Sequence, residues 1–581
     1  MWTQVFDPLG NPLWSAVVAA TPIALLLYAL VVRRASGVLA GALTLTTALA
    51  VAIAAYGMPP KLALLAALQG AVYGLFPISW IVFSAVLLYQ VTVQTGRFEI
   101  LKQSIGALTD DRRLQAMLIA FGFGAFLEGC AGFGAPVAIS AGMLVGLGFD
   151  ARYAAGLCLI ANTAPVAFGS IGIPLVTASQ VTGLDLHDLS SMVGRQLPLL
   201  SLVVPAYLVV LMAGWRGLRE VWPAALTSGG VFAVAQFLTS NYLGPLLPDI
   251  VSSTASIAAL VLLLRVWKPR RTFRFPHETT PLTQTVRPAT AEALSAWTPF
   301  VILTMFIGAW GIASVQALLG QVTVVAPVPL LNNAIVNPDT GRAIAATIRL
   351  NWMSAAGTSV VLAALASAFV LRMRWSDLSV VCVRTGSQLA RPALTIALFL
   401  AFAYVTSASG MTTTLGRALA GTGALFPAVS PILGWLGVFI TGSDTSANAL
   451  FGRLQQTSAE QLGLNPVLAV AANSSGGVTA KMISPQSIAV ACAAAGLTGR
   501  EPDLLRFTLP HSLVMLAAIS AMTWLQATWL AWMVPAVRVG SAAASAPASV
   551  LQGWAILSVL VLALACLGAG ARAQAQRGRA S

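Results

Sequence analysis

Two carboxylates stand where an apolar membrane segment would not carry them. Glu128 lies in FGFGAFLEGCAGFGAPVAIS (121–140), and Asp444 lies in GWLGVFITGSDTSANALF (434–451). A charged side chain at the bilayer centre costs about 2.5–3.5 kcal/mol on insertion scales, so an intramembrane acid is a candidate functional group. Low dielectric disfavours the charged form of a carboxyl group, which suits Glu128 and Asp444 to carry protons. The alternatives are a fixed counter-ion role for either, or a helix cap by Asp444 within GSDTSAN. Lys481 is the one lysine of the apolar C-terminal region. It is a candidate to pair a substrate carboxylate, Asp444 or Glu128; the alternative is an interfacial lysine that snorkels.

Around these charges lie residues suited to a small organic anion. Gly132 and Gly134 follow Glu128, and glycine lets a ligand approach backbone amides closely. Helix N-termini add N–H groups and a positive dipole end. Asn162, Thr163, Asn473, Ser474 and Ser475 can hydrogen-bond a carboxylate or a 2-hydroxyl. The competing explanation is that small residues let membrane helices pack closely. The glycine run is no phosphate loop, because it lacks the GK[ST] ending. Arg195 opens an apolar span and reads first as a topology residue, with substrate contact as the lesser alternative. His511 heads a late span and is a minor candidate for proton relay. His187 and His277 read as loop residues. No HExxH motif or Cys/His cluster is present, so neither a metal nor a cofactor is expected.

The elements that hold these residues must be interrupted. Gly129, Gly132, Gly134 and Pro136 break one apolar run, and Asn162, Thr163 and Pro165 break the next. Broken backbone at membrane depth is tolerated only inside protein or around a water-filled cavity. Secondary transporters build midplane sites in this way. The pattern recurs. Leu147-Gly148-Phe149-Asp150 matches Leu462-Gly463-Leu464-Asn465, 315 residues on, and Asn162-Thr163-Ala164 matches Asn473-Ser474-Ser475, 311 residues on. Asn162 to Pro174 and Asn473 to Pro485 each span 12 residues. Landmarks in the same order suggest two related halves; the competing view is that small polar residues recur in any polytopic chain.

Composition agrees with a membrane setting. The 581 residues are 57% hydrophobic and 9% charged, against about 25% charged in soluble domains, so the chain cannot cover a soluble surface. The net charge of +14 (32 basic, 18 acidic) collects in short loops, where it sets topology and does not point to nucleic acid. Cys130, Cys158, Cys382, Cys492 and Cys566 are dispersed without CxxC and read as buried small side chains. No basic region opens the chain, so a cleaved leader is not expected. Basic residues at 33–34, 102–113, 216–219, 268–274, 372–374 and 572–579 place the N-terminus outside and the C-terminus inside. The expected organisation is a half at 1–267 with a hairpin near 128–150, and a linker at 268–294. A second half follows at 295–535 with a hairpin near 442–465, then a further helix at 549–570. The fold class is an all-α polytopic membrane protein of about 12–15 transmembrane helices. Its two halves would be inverted, with broken helices or re-entrant hairpins.

At its motifs the sequence resembles the bacterial L-lactate permease family along most of 1–535. The strings are FDPLGNPLW, GFGAFLEGCAGFGAPVAIS, AGLCLIANTAPVAFGSIGIP, MVGRQLP, GWLGVFITGSDTSANALF and AANSSGGVTAKMISPQSIAVACA. The stretch after about 540 is less like the family. The resemblance implies proton-coupled uptake of L-lactate and similar 2-hydroxymonocarboxylates, D-lactate and glycolate, across the inner membrane. It does not fix oligomeric state, stoichiometry or Na⁺ against H⁺. The residues alone leave open a transporter of another small organic anion coupled to Na⁺ or H⁺, a channel, or an intramembrane enzyme using Glu128 and Asp444. Against an enzyme stands the lack of a nucleophile–base motif.

Overall fold

The computed structural model describes residues 1–536 except Arg34, Phe133, 276–288, Thr340, Thr498 and Gly499. The middle of the expected linker, His277, the expected helix at 549–570, Cys566 and the basic tail lie outside the described residues.

In lipid, backbone polar groups must be satisfied within the segment, and the apolar runs are accordingly helical. The chain opens with α1 (Pro12–Leu27), α2 (Gly37–Ala54), α3 (Pro60–Tyr73) and α4 (Trp80–Gln94), then α5 (Arg97–Gly106) and the one-turn α6 (Arg112–Gln115). A first interrupted unit follows: α7 (Gly124–Cys130), α8 (Ala135–Gly146), α9 (Ala151–Ala161) and α10 (Gly169–Thr182). Next come α11 (Leu186–Tyr242), α12 (Pro248–Val266), α13 (Thr290–Gly311) and α14 (Ala313–Gly320). A polar connection carries β2 (Val324–Pro327), β3 (Ile335–Val336) and β4 (Thr347–Leu350). There β2 pairs antiparallel with β4, and β3 pairs parallel with the N-terminal β1 (Trp2–Thr3). Then follow α15 (Ala356–Val370), α16 (Trp375–Ser409) and α17 (Met411–Ala420). A second interrupted unit comprises α18 (Phe426–Thr441), α19 (Asp444–Gln461), α20 (Pro466–Ala480) and α21 (Pro485–Ala495), before α22 (Glu501–Ala527).

The two units share a succession of parts. Each has helix, break, helix, tight turn, helix, one 3-10 turn, helix. The turn passes through a left-handed glycine, Gly148 (φ 94°) or Gly463 (φ 66°). Asp150 then caps α9 by accepting from Arg152 and Tyr153 N–H, and Asn465 caps α20 by accepting from Val467 N–H. The 3-10 turns are Val166–Phe168 and Lys481–Ile483. Packing between the units is reciprocal. Helix α8 lies against α21 as α19 lies against α10, and the two 3-10 turns lie against α20 and α9 respectively.

Close helix crossings use small residues, as membrane interfaces do. On α3 the run GAVYG turns Gly70 and Gly74 onto α16: a Cβ on Gly70 would sit 2.8 Å from Ala401 Cα, and one on Gly74 would sit 2.9 Å from Ala397 N. Where α18 crosses α20, a Cβ on Gly434 would fall on the Asn473 carbonyl, and one on Gly476 on the Pro431 carbonyl.

Among the described residues, eight helices are long and apolar enough to cross a membrane, or ten with two bent pairs counted. One bent pair is α9 with the segment through α10, turning by 65°. Helix α11, at about 1.5 Å per residue, is far longer than the bilayer core and is broken at Gly214 and Val221. It holds two apolar runs, one on each side of that break. The count falls below the expected 12–15 because α11 counts once, helices such as α8 and α21 are shorter than a span, and the expected helix at 549–570 lies outside the described residues.

The basic loop residue Arg113 does more than mark topology. It is fully buried and bonds Asp111 (2.8 and 3.1 Å), Glu220 (2.7 Å) and the carbonyls of Gly217 and Arg271 (3.1 and 2.9 Å). Its guanidinium also lies over Phe273. The start of the 268–294 connection is therefore pinned to α6.

Candidate functional site

Glu128 sits near the end of α7, buried at 4% exposure. Its Oε2 accepts from Asn162 Nδ2 at 3.1 Å, so the acid of the first break is bonded to the second break of the same unit. The other oxygen faces glycines. A Cβ on Gly169 would stand 2.8 Å from Oε1, and one on Gly132 would stand 3.5 Å from it. Ser170 Oγ donates to the Ala131 carbonyl at 3.2 Å, tying the two breaks again. Here the chain makes a left-handed turn through Ser170, Ile171 and Gly172, with φ of 47°, 59° and 70°. For Ser and Ile this conformation costs about 1–2 kcal/mol each. Such strain persists only where the surroundings dictate it, and it gathers at ligand clamps and switch regions.

Asp444 opens α19 and is likewise buried. Ser443 supplies the helix cap, its side chain accepting from Ser446 N–H, so Asp444 is not needed as the cap. Instead its Oδ2 accepts from Ser474 Oγ and, at 3.5 Å, from Asn448 Nδ2. Asn448 also donates to Ser474 Oγ and to the Pro174 carbonyl of the first unit, both at 3.1 Å, and accepts from Asn473 Nδ2 at 2.9 Å. Asn473 Oδ1 in turn accepts from Gln455 Nε2 at 3.3 Å. As with Gly169 at Glu128, a Cβ on Gly477 would overlap Asp444 Oδ1. Each acid thus has a glycine pressed on one oxygen and a polar side chain on the other, from the break after α9 for Glu128 and from α20 for Asp444; α20 runs unbroken through Asn473, Ser474 and Ser475, unlike the interruption at Asn162.

Lys481 follows α20 directly and is buried at 7% exposure, not snorkelling. Its Nζ donates to the Gly442 carbonyl at 2.7 Å, at the break between α18 and α19. Asp444 opens the helix that begins just past this break.

Several buried polar atoms at these breaks are left without a partner among the described residues. They are Asn162 Oδ1, Thr163 Oγ1, Asp444 Oδ1 and Ser475 Oγ. Thr163 and Ser475 are hydroxyl donors that follow the asparagines of the two units, and they are free to bond a small anion. Gly134 points elsewhere: its α-carbon faces Val490 of α21. Arg195 bonds Asn241 Oδ1 at 2.9 Å and the Met533 carbonyl, joining α11 to the chain after α22. His511 pairs with Tyr207.

Four residues of this region escape a reading by motif. Asn448 and Gln455 follow Asp444 at helical spacing on one face of α19. That periodicity was the available signal. Gly169 is visible only in three dimensions. Asp249, second residue of α12, is buried at 1% exposure. Its signal was an acid at the edge of an apolar run with no basic residue nearby.

Comparison with known proteins follows from this geometry. A sequence model of the L-lactate permease family matches residues 15–530. The L-lactate permease of Bacillus subtilis (strain 168) is 52% identical over 562 residues, covering 92% of this chain and 100% of the relative. The L-lactate permease of Escherichia coli (strain K12) is 48% identical over 549 residues, with the same coverage of 92% and 100%. The glycolate permease GlcA of Escherichia coli (strain K12) is 48% identical over 550 residues, covering 90% of this chain and 98% of the relative.

Proposed function

Because the chain belongs to the L-lactate permease family, we propose that it imports L-lactate, D-lactate and glycolate with protons across the bacterial inner membrane. Relatives named for L-lactate and for glycolate support this substrate class. The observation that carries the mechanism is a buried acid in each interrupted unit, with a buried lysine bonded to the Gly442 carbonyl at the break that Asp444 closes. An arriving anion competes with those acids for the charge of Lys481, so anion and proton load together; this is a coupling free energy between two sites. Thr163 and Ser475 offer hydroxyls to the anion, with Asn162, Asn473, Ser474 and the backbone at Gly132 around them. Glu128 and Asp444 carry the protons. Gly134 serves the packing of α8 on α21.

Alternating access is the accompanying proposal. It is supported by the reciprocal contacts of the units, α8 on α21 and α19 on α10, which an approximate two-fold relation between inverted halves would produce. On this reading the halves are 1–267 and 295–535, the N-terminus is outside and the C-terminus inside.

The test is uptake of labelled lactate by proteoliposomes under an imposed pH gradient, with and without sodium and a protonophore. For one proton per lactate, a gradient of one pH unit supports about tenfold accumulation. Equilibration without accumulation would refute proton coupling, and accumulation that follows sodium and ignores the protonophore would reassign the ion.

A further inference from the structure

We propose that Asp249 is a further proton-carrying carboxyl of this transporter, sharing a proton with Glu128; the inference rests on the proton-coupled reading above. Asp249 directly follows Pro248 in the first turn of α12. An acid there ordinarily accepts from the free N–H groups of the turn or from water. The carboxyl of Asp249 finds no such N–H: both its oxygens are buried and without a protein partner among the described residues. Its backbone carbonyl accepts from Ser253 Oγ.

Its neighbours explain where it points. Helix α12 lies on α7, and a Cβ on Gly129 would stand 2.8 Å from Asp249 Cβ. The missing side chain of Gly129 thus brings Asp249 against α7 one residue beyond Glu128. The titratable groups of α7, the helix against which it packs, are Glu128 and Cys130. The π-helical segment Ala116–Phe123, also packed on α12, carries no titratable residue. Helix α11 meets α12 through hydroxyls, Ser228 against Ser256 at 3.0 Å.

A carboxylate buried with no donor and no cation is costly, and two neighbouring carboxyls that cannot both be charged share protons. Asp249 therefore holds a proton while Glu128 is ionised and balanced by Lys481. When an anion draws on Lys481, the proton passes from Asp249 to Glu128, and Asp249 is refilled from the aqueous side. One O–H bond breaks as another forms, and no further reactant is needed.

The experiment compares Asp249→Asn and Asp249→Glu with the unsubstituted protein in proteoliposomes. Two quantities are measured: accumulation under a one-unit pH gradient, and exchange of internal for external lactate without a gradient. The unsubstituted protein must first accumulate lactate; if it does not, the proton-coupled reading itself fails. Given accumulation, Asp249→Asn is expected to collapse the roughly tenfold ratio to about onefold while retaining exchange, and Asp249→Glu to recover accumulation. Full accumulation by Asp249→Asn overturns the inference. So does loss of exchange together with accumulation, or failure of Asp249→Glu to restore accumulation, since either marks a structural role.

Discussion

Gly169→Ala isolates the position of the Glu128 carboxyl. Gly169 has φ −61° and ψ 156°, a conformation any residue adopts, so alanine brings no backbone penalty. The added methyl would stand 2.8 Å from Glu128 Oε1 and 3.0 Å from its Cγ, closer than real methyl contacts. Glu128 has little room to retreat, because Asn162 holds its other oxygen at 3.1 Å and the residue is 4% exposed. Overpacking of this kind costs about 1–3 kcal/mol. If that cost falls on the transport barrier, the rate drops about 5- to 150-fold. The matched control is Gly142→Ala on α8, where the nearest atom to a new Cβ is the Ala494 carbonyl at 3.9 Å. The assay is the initial rate of labelled lactate uptake, normalised to the amount of protein in the membrane. Gly142→Ala is expected near the unsubstituted rate and Gly169→Ala well below it. Equal rates for the two variants would refute the claim that the Glu128 carboxyl must occupy this position.

Glu128→Gln keeps an oxygen for Asn162 and removes the exchangeable proton; gradient-driven uptake should fall more than exchange, and unchanged accumulation would remove Glu128 from coupling. Lys481→Ala removes the bond to the Gly442 carbonyl and the charge opposite both acids. A charge-assisted bond contributes about 1.5–3 kcal/mol, so the half-saturation concentration for lactate should rise about 10- to 150-fold, and an unaltered value would exclude Lys481 from the site. Arg113→Ala strands a buried Asp111 and should cost about 3–5 kcal/mol of stability, seen as a lower melting temperature in detergent. A melting curve like that of the unsubstituted protein would show that this buried network is not structural.

What the chain revealed by itself follows a physical divide. Glu128, Asp444, Asn162, Asn473 and Lys481 stood out because polar groups in apolar runs need a reason to be there. The structure joins Glu128 to Asn162 across 34 positions of sequence, a pairing the sequence did not reveal. Residues whose role depends on which helix lies opposite were hidden. Gly169 and Gly477 are ordinary glycines until a carboxylate is found against them. Asp249 was hidden too, because nothing in its own stretch says that α7 covers it. The left-handed turn was hidden for another reason. Ser170 and Ile171 have no preference for that conformation, so tertiary packing imposes it. The number of crossings suffered similarly, since half-helices and a doubled-back α11 look alike to a window of 20 apolar residues.

The crossing of α18 and α20 has a consequence for motion. Helices that slip past one another during a transport cycle do so on side chains, which change rotamer and act as bearings. At Gly434 and Gly476 there are none; main chain rests on main chain, and a shift by even one residue would drive a methyl or larger group into a carbonyl. These two helices are therefore locked together as one piece. Any displacement that opens the pathway must leave that crossing intact and be taken up at contacts cushioned by longer side chains.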